Sequence, residues 1–252
     1  EFDGLNLTWE TLEGVVKHNG PLLNAGRGEA DLPSAVSEYN ARHDLELATY
    51  ASAEAQIAAI ADDVAYNNHD IDDGLRAGLF KIDDLADVPL AGPVFAEVKK
   101  VYPDLDESRT IYEVVRRMIG DMVIDLLDET GRRLKDLDPK SPDDIRAHDR
   151  PVAGFSESMR ANDAALKKFL FENMYRHYKL NRMTSKAKRV VKELFKLLVE
   201  EPECLPTEWR AVTETATRQQ TARTVADYLA GMTDRFALDE YQNLFDVQAR
   251  NS

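Results

Sequence analysis

Apolar residues recur along this chain at three- and four-residue intervals, and strict alternation of apolar and polar positions is nearly absent. That pattern predicts an all-α fold. Residues 8–18 place Trp9, Leu12, Val15 and Val16 on one side of a helix that Asn19-Gly20-Pro21 ends. Residues 24–50 are rich in glycine, proline and polar side chains and read as a partly irregular connection. Ser52 can cap a helix running to about Asp70, with Gly74 loosening the turns beyond it. Pro93 starts a short helix that stops before Pro103. Residues 108–130 carry an amphipathic stripe of Ile111, Val114, Val115, Met118, Met122 and Leu126. Ser141 followed by Pro142 marks a further helix start. Long helices are predicted over 157–181 and 184–200, the second ended by Pro202 and Pro206, then over 218–236 and 238–246. No repeat, low-complexity tract or linker interrupts the pattern, so one domain over 1–252 is the expectation.

One stretch departs from an ordinary amphipathic helix. Residues 61–74, ADDVAYNNHDIDDG, hold five aspartates, yet their apolar residues keep helical spacing. With Asp62 set at zero on a helical wheel, Tyr66 falls at about 40°, His69 at about −20°, Asp70 at about 80° and Asp73 at about 20°. Ile57, Ile60, Val64 and Ile71 lie opposite, between about 160° and 220°. The arc of Asp, Tyr, His and Asp either faces water or faces a ligand. Spacing alone favours water, while the ring of Tyr66 inside the arc and the small flanking residues Ala58, Ala59, Ala61 and Ala65 argue for a packed or occupied site.

Composition narrows the function classes. Hydrophobic residues at 43% and charged residues at 31% are globular proportions. A net charge of −14 argues against general polyanion binding, although a local basic patch is compatible with it. The lone cysteine, Cys204, permits no internal disulfide and points to a reducing, cytoplasmic setting. No apolar run is long enough to span a bilayer. Of the five histidines, His43, His69 and His148 each precede an aspartate, a weak metal signal as a dipeptide; His18 sits near a helix end and His177 lies in MYRHYKL. No Ser-His-Asp order, phosphate-binding glycine loop or cysteine-based zinc spacing occurs.

Three stretches, FDGLNLTWETLEGVVKHNGP, SAEAQIAAIADDVAYNNHDIDDGLRAGL and FLFENMYRHY, resemble the bacterial deoxyguanosinetriphosphate triphosphohydrolase-like proteins. These are HD-domain enzymes that cleave deoxynucleoside triphosphates to deoxynucleoside and triphosphate. The likeness runs to the closing MTDRFALDEYQNLF. It implies an HD-domain-like helical bundle, incomplete at its N-terminus. It implies Asp62 as the distant aspartate of a His, His-Asp, Asp metal site for Mg, Mn or a similar divalent ion. Tyr66 then meets the deoxyribose, Asp70 accepts the sugar 3′-hydroxyl, Lys167 or Lys168 reaches phosphate, and Tyr175 and Arg176 lie at the nucleotide. The His69-Asp70 pair falls at the sugar and not at the metal. The first His and the true His-Asp pair lie upstream of Glu1 in this family, so the expectation is a C-terminal portion that lacks activity alone.

The resemblance further implies a deoxynucleoside triphosphate as ligand and a homo-oligomer; no membrane partner is expected, because no apolar run is long enough to span a bilayer. A different class stays open: a non-catalytic helical module for nucleotide binding or oligomerisation. Arg176, Lys179, Arg182, Lys186, Lys188, Arg189, Lys192 and Lys196 also form a basic run in an acidic chain. It reads either as the solvated face of two helices or as a site for phosphates or single-stranded DNA.

Overall fold

The computed structural model describes residues 4–246 and bears out the all-α expectation: eleven α-helices and no strand occur among the described residues. The chain groups into two compact units, Glu1–Met174 and Tyr175–Ser252. The boundary falls inside a π-helical turn, Phe171–Tyr175, without an intervening loop. Such continuity is what leads sequence reading to a single domain.

In the first unit α1 (Trp9–Lys17) and α2 (Ser34–Asn40) flank an irregular stretch. They precede α3 (Ala53–Arg76), α4 (Ala91–Val101), α5 (Glu107–Leu137), α6 (Pro142–Arg146) and α7 (Glu157–Leu170). Helix α3 packs on α5, α1 and α7, and α4 packs on α5. The α5 stripe is buried as its spacing predicts, with Ile111, Val114, Met118, Met122 and Leu126 in the core. Thr8, Ser52 and Ser141 cap α1, α3 and α6 through their hydroxyls, each satisfying an orphan N–H of a first turn.

Helix α3 passes through Gly74, where glycine is required. A Cβ there would lie 2.2 Å from the Phe80 ring, which packs edge-on against Phe169 at 5.1 Å and 83°. The glycine therefore admits an aromatic ring against the helix backbone and does not end the helix.

Helix α1 corrects its expected stripe. Its buried residues are Glu13, Gly14 and Lys17, while Val15 is 63% exposed. The inward face is ionic. Glu13 Oε1 accepts from Arg146 Nε at 3.0 Å and Nη2 at 2.8 Å. Glu13 Oε2 makes no hydrogen bond of ordinary geometry, and its 2.9 Å approach to the Lys17 ammonium is an ionic contact. Trp9 lies over both cations, 4.9 Å from the Arg146 guanidinium and 5.6 Å from Lys17 Nζ.

Between α6 and α7, residues 151–156 are held by side chains in place of backbone pairing. The Gln56 carbonyl oxygen accepts from the amides of Val152 and Ala153, Thr130 from that of Gly154, and Asp125 from that of Ser156. Arg133 donates to the carbonyls of Pro151, Ala153 and Phe155. A Cβ on Gly154 would come within 2.4 Å of the Arg133 guanidinium, so any larger residue there pushes that cation off its present contacts with the loop.

The second unit contains α8 (Tyr178–Glu200), α9 (Thr207–Thr213), α10 (Arg218–Ala230) and α11 (Asp234–Phe245). Leu198, Leu205, Val225 and Tyr228 form its core, with Phe195, Trp209 and Leu244 against them. The helix expected to continue to residue 181 ends earlier. Asn173 donates to the Phe169 carbonyl at 3.0 Å within the widened turn, and His177 restarts the chain by capping α8 at the Lys179 amide. Likewise α10 stops at Ala230, before Gly231, where the pattern predicts continuation to 236.

Candidate functional site

Helix α3 carries the acidic arc and is unusual in what it buries. Gln56, Asn67, Asn68 and Asp70 are buried beside Val64, Ile71 and Leu75. Burying polar side chains costs free energy unless they are bonded, so these positions demand specific partners. Gln56 satisfies this through the loop at 152–153, as described. Asn67 donates to Asp163 Oδ1 on α7 at 3.0 Å. Asn68 donates to the Val64 carbonyl at 2.8 Å, while its own carbonyl oxygen has no hydrogen-bond partner.

Asp163 leads to the strongest polar cluster on this face. Lys167 Nζ lies 3.0 Å from Asp163 and 3.0 Å from Asp63. An ammonium from α7 thus bridges an α3 carboxylate and its own helix, and Asn67 braces the far oxygen. Burial works to lower the Lys167 pKa, but hydrogen bonds and charge from Asp163 and Asp63 outweigh it and hold the pKa above the usual lysine value. Lys167 is therefore a half-exposed ammonium held between two carboxylates.

The arc itself divides. Asp62, Tyr66, His69 and Asp73 are exposed, Tyr66 by 55%, whereas Asp70 is buried at 8%. On the wheel Asp70 stands at the edge of the arc, about 80° from Asp62, where the packed face of α3 begins. Asp62 and Asp63 line a cavity of about 920 Å³ beside α1, whose wall includes Gly14, Val15, Ala55 and Ala59. Tyr66 and Asp70 are not among its lining residues. Tyr175 and Arg176 open the second unit, where the Arg176 carbonyl accepts from Asn181 at 2.8 Å. Lys168 is exposed on α7.

No group of three or more His, Cys, Asp or Glu side chains among the described residues is arranged to hold a metal ion. Asp62 alone is too small a donor set for a hard divalent cation, which takes several oxygen or nitrogen ligands. His148 meets only its neighbour Asp149, at 3.6 Å. No helix among the described residues is long and apolar enough to cross a membrane.

Asp63, Asn67 and Asp163 are the residues that sequence reading missed. Asp163 and Lys167 stand four apart on one helix, a legible signal. The pairing of Lys167 with Asp63, 104 positions away, has none.

Residues 153–243 of this all-α chain match the family model of the phosphohydrolase-associated domain. Over 246 residues, 98% of this chain, it is 58% identical to a deoxyguanosinetriphosphate triphosphohydrolase-like protein of Parvibaculum lavamentivorans, covering 62% of that relative. Proteins of the same name from Caulobacter vibrioides and Brucella suis are 52% identical over 253 residues and 50% identical over 248, covering 63% and 62% of their lengths. The resemblance read from the sequence is thus homology over nearly the whole chain. The chain spans somewhat under two thirds of the length of these relatives.

Proposed function

We propose that the complete protein hydrolyses a deoxynucleoside triphosphate such as dGTP to deoxynucleoside and triphosphate, and that this chain supplies the face that binds sugar and phosphate. The names of the relatives support the reaction class. The observation that carries the reading is the combination on α3 of Asp62, Tyr66 and Asp70 at four-residue steps with a Lys167 ammonium braced by two carboxylates next to them.

The roles follow from chemistry. Lys167 is assigned to phosphate by the resemblance; its ammonium is paired with Asp63 and Asp163 and would exchange one of them for the triphosphate on binding. Tyr66 offers an exposed ring for the deoxyribose; a ring packed beside C2′ leaves no room for a ribose hydroxyl. Asp70 accepts the 3′-hydroxyl in a charge-assisted hydrogen bond. Tyr175 and Arg176 are assigned to the nucleotide by the resemblance. Asp62 contributes one carboxylate to the divalent-metal site that the resemblance implies. The donor set among the described residues does not hold such an ion by itself.

The test is release of inorganic triphosphate from dGTP and GTP by the full-length protein. Asp70→Asn keeps the shape and removes the charge, so kcat/KM for dGTP should fall about ten- to a hundredfold, the worth of one hydrogen bond to a charged group. Tyr66→Ala should narrow the preference for dGTP over GTP. Unchanged dGTP turnover in Asp70→Asn, with an unchanged ratio in Tyr66→Ala, would overturn the assignment. Binding of dGTP without any turnover would leave a nucleotide-binding module.

A further inference from the structure

Lys167 meets α3 as part of a two-rung ladder. Asp63 and Asn67 stand one turn apart on α3, and Asp163 and Lys167 one turn apart on α7. One rung joins Asn67 Nδ2 to Asp163 Oδ1 at 3.0 Å, the other Lys167 Nζ to Asp63 Oδ2 at 3.0 Å. Lys167 also holds Asp163 Oδ2 at 3.0 Å. One ammonium and two carboxylates leave this cluster with a net charge of −1. That balance conflicts with binding a triphosphate. An ammonium already matched by two carboxylates attracts a polyanion weakly, and each carboxylate repels it. The neighbouring Asp62, exposed on the same helix, adds to the repulsion. One of the two carboxylates must leave the ammonium before a phosphate can take it.

The two carboxylates are not equivalent. The Asp63 side chain is 60% exposed and that of Asp163 only 11%. Among the described residues Lys167 is the one partner of the Asp63 side chain. Asp63 also lines the cavity beside α1, so its carboxylate can turn from Lys167 into water at little cost. An exposed ion pair of this kind is worth about one- to fivefold in an equilibrium constant. Asp163 is packed between the helices, where the buried amide of Asn67 donates to its second oxygen. Taking Lys167 away would strand a buried carboxylate with a single neutral donor, a loss of about a hundredfold or more. The exposed rung is therefore the one that opens.

We propose that Asp63 is a displaceable placeholder for the triphosphate of the substrate. It occupies the Lys167 ammonium in the empty protein, yields it when the triphosphate arrives, and so weakens binding. Asp163, braced by Asn67, stays on the ammonium throughout and is its positioning residue. The inference rests on the reading that Lys167 meets phosphate. Because the exchange is complete once substrate is bound, it weakens ground state and transition state alike, and its mark falls on KM and not on kcat.

The experiment is isothermal titration of inorganic triphosphate into the full-length protein, which probes the phosphate subsite without sugar, base or turnover, together with KM and kcat for dGTP. Asp63→Asn keeps the shape and removes the competing charge. Triphosphate should then bind about two- to fivefold more tightly, and KM for dGTP should fall by the same factor without a change in kcat. Asp163→Asn should give no such gain. The decisive background is Lys167→Met, in which the ammonium is gone. Triphosphate should bind it less tightly, and Asp63→Asn added to it should change nothing, because the two residues act through one contact. A gain from Asp63→Asn that persists in that background is a general effect of removing negative charge and would overturn the proposal. So would an unchanged affinity in Asp63→Asn while Lys167→Met weakens binding, or a gain in Asp163→Asn as large as that in Asp63→Asn. Undiminished triphosphate affinity in Lys167→Met, or no triphosphate binding by the wild type, is a different failure: it would remove Lys167 from the phosphate site and that part of the hydrolytic reading with it. Thermal unfolding controls for folding, which the exposed Asp63 position should tolerate.

Discussion

Replacing Glu13 by Gln tests whether the ionic seat of α1 holds that helix in place. The side chains of Glu13 and Lys17 are fully buried and that of Arg146 is 10% exposed. The glutamate contacts both cations through separate oxygens, so Gln removes the one charge between them and leaves two buried cations facing an amide. Breaking a buried ion pair by removing one partner costs about 3–5 kcal/mol. Remaining contacts soften the loss: Lys17 still donates to the Glu46 carbonyl at 3.2 Å and to Thr49 at 3.0 Å, and Arg146 keeps Asp143 at 2.8 Å. The low end, about 3 kcal/mol, is therefore expected, a fall in Tm of about 6–12 °C for a unit of this size. The assay exploits the two tryptophans of the chain. In a Trp209→Phe background the fluorescence of Trp9, whose ring lies over both cations, reports this cluster alone during urea or thermal unfolding. Arg146→Met made with Glu13→Gln should destabilise less than the sum of the two single changes, since the second removes a cation the first has stranded. A loss below about 1 kcal/mol for Glu13→Gln, or strict additivity with Arg146→Met, would refute the reasoning.

Glu129 and Glu113 are each held down to about 2 by hydrogen bonds, Glu129 from Arg132 then Arg133, and Glu113 from Arg116 then Arg117. Their folded pKa lies below the ordinary 4.5, so the stability they contribute is complete above pH 4.5 and is lost as pH falls toward 2. Denaturant midpoints measured across that window should fall more gently with acid in Glu129→Gln than in the wild type. Gly154→Ala should destabilise the first unit by about 1–3 kcal/mol, because the displaced Arg133 leaves loop carbonyls unpaired; urea midpoints check it, and the accompanying change Arg133→Ala should add little. Asn68→Leu should be neutral or stabilising in thermal unfolding, because it replaces a buried amide whose oxygen has no hydrogen bond by an apolar side chain of similar size.

How much was legible in the sequence depended on whether a position obeys its own helix or a distant one. The α5 stripe and the caps at Ser52 and Ser141 follow local rules, and the structure repeats them. Helix α1 defeated the same logic: its Val15 and Val16 mark an apolar side, but the inward side is chosen by Arg146, 133 positions from Glu13. Gly74 read as loosening the helix because Phe80 and Phe169, which need the space, carry no signal at that position. On the candidate face, spacing put Asp62 and Tyr66 on the exposed side of α3, where they lie, whereas Asp70 is buried; the roles of all three rest on the resemblance. The brace of Lys167 by Asp63 and Asp163 was legible only in its intrahelical half. Helix α9 escaped notice because seven residues, Thr207–Thr213, are too few for periodicity to declare itself.

The segment at 151–156 has no regular secondary structure, yet four of its amides and three of its carbonyls are engaged by Gln56, Thr130, Asp125 and Arg133. Its dynamics should therefore be those of the helices that grip it. Amide hydrogens at Val152, Ala153 and Gly154 should exchange with solvent only when α3 or α5 lets go, not by local fraying. Phe155 within it is a nominal chymotrypsin site, but cleavage there requires the segment to peel from four side chains at once. A chain break or insertion tolerated by an ordinary surface connection would here unfasten two helices, and limited proteolysis should begin at other surface segments before it reaches this one.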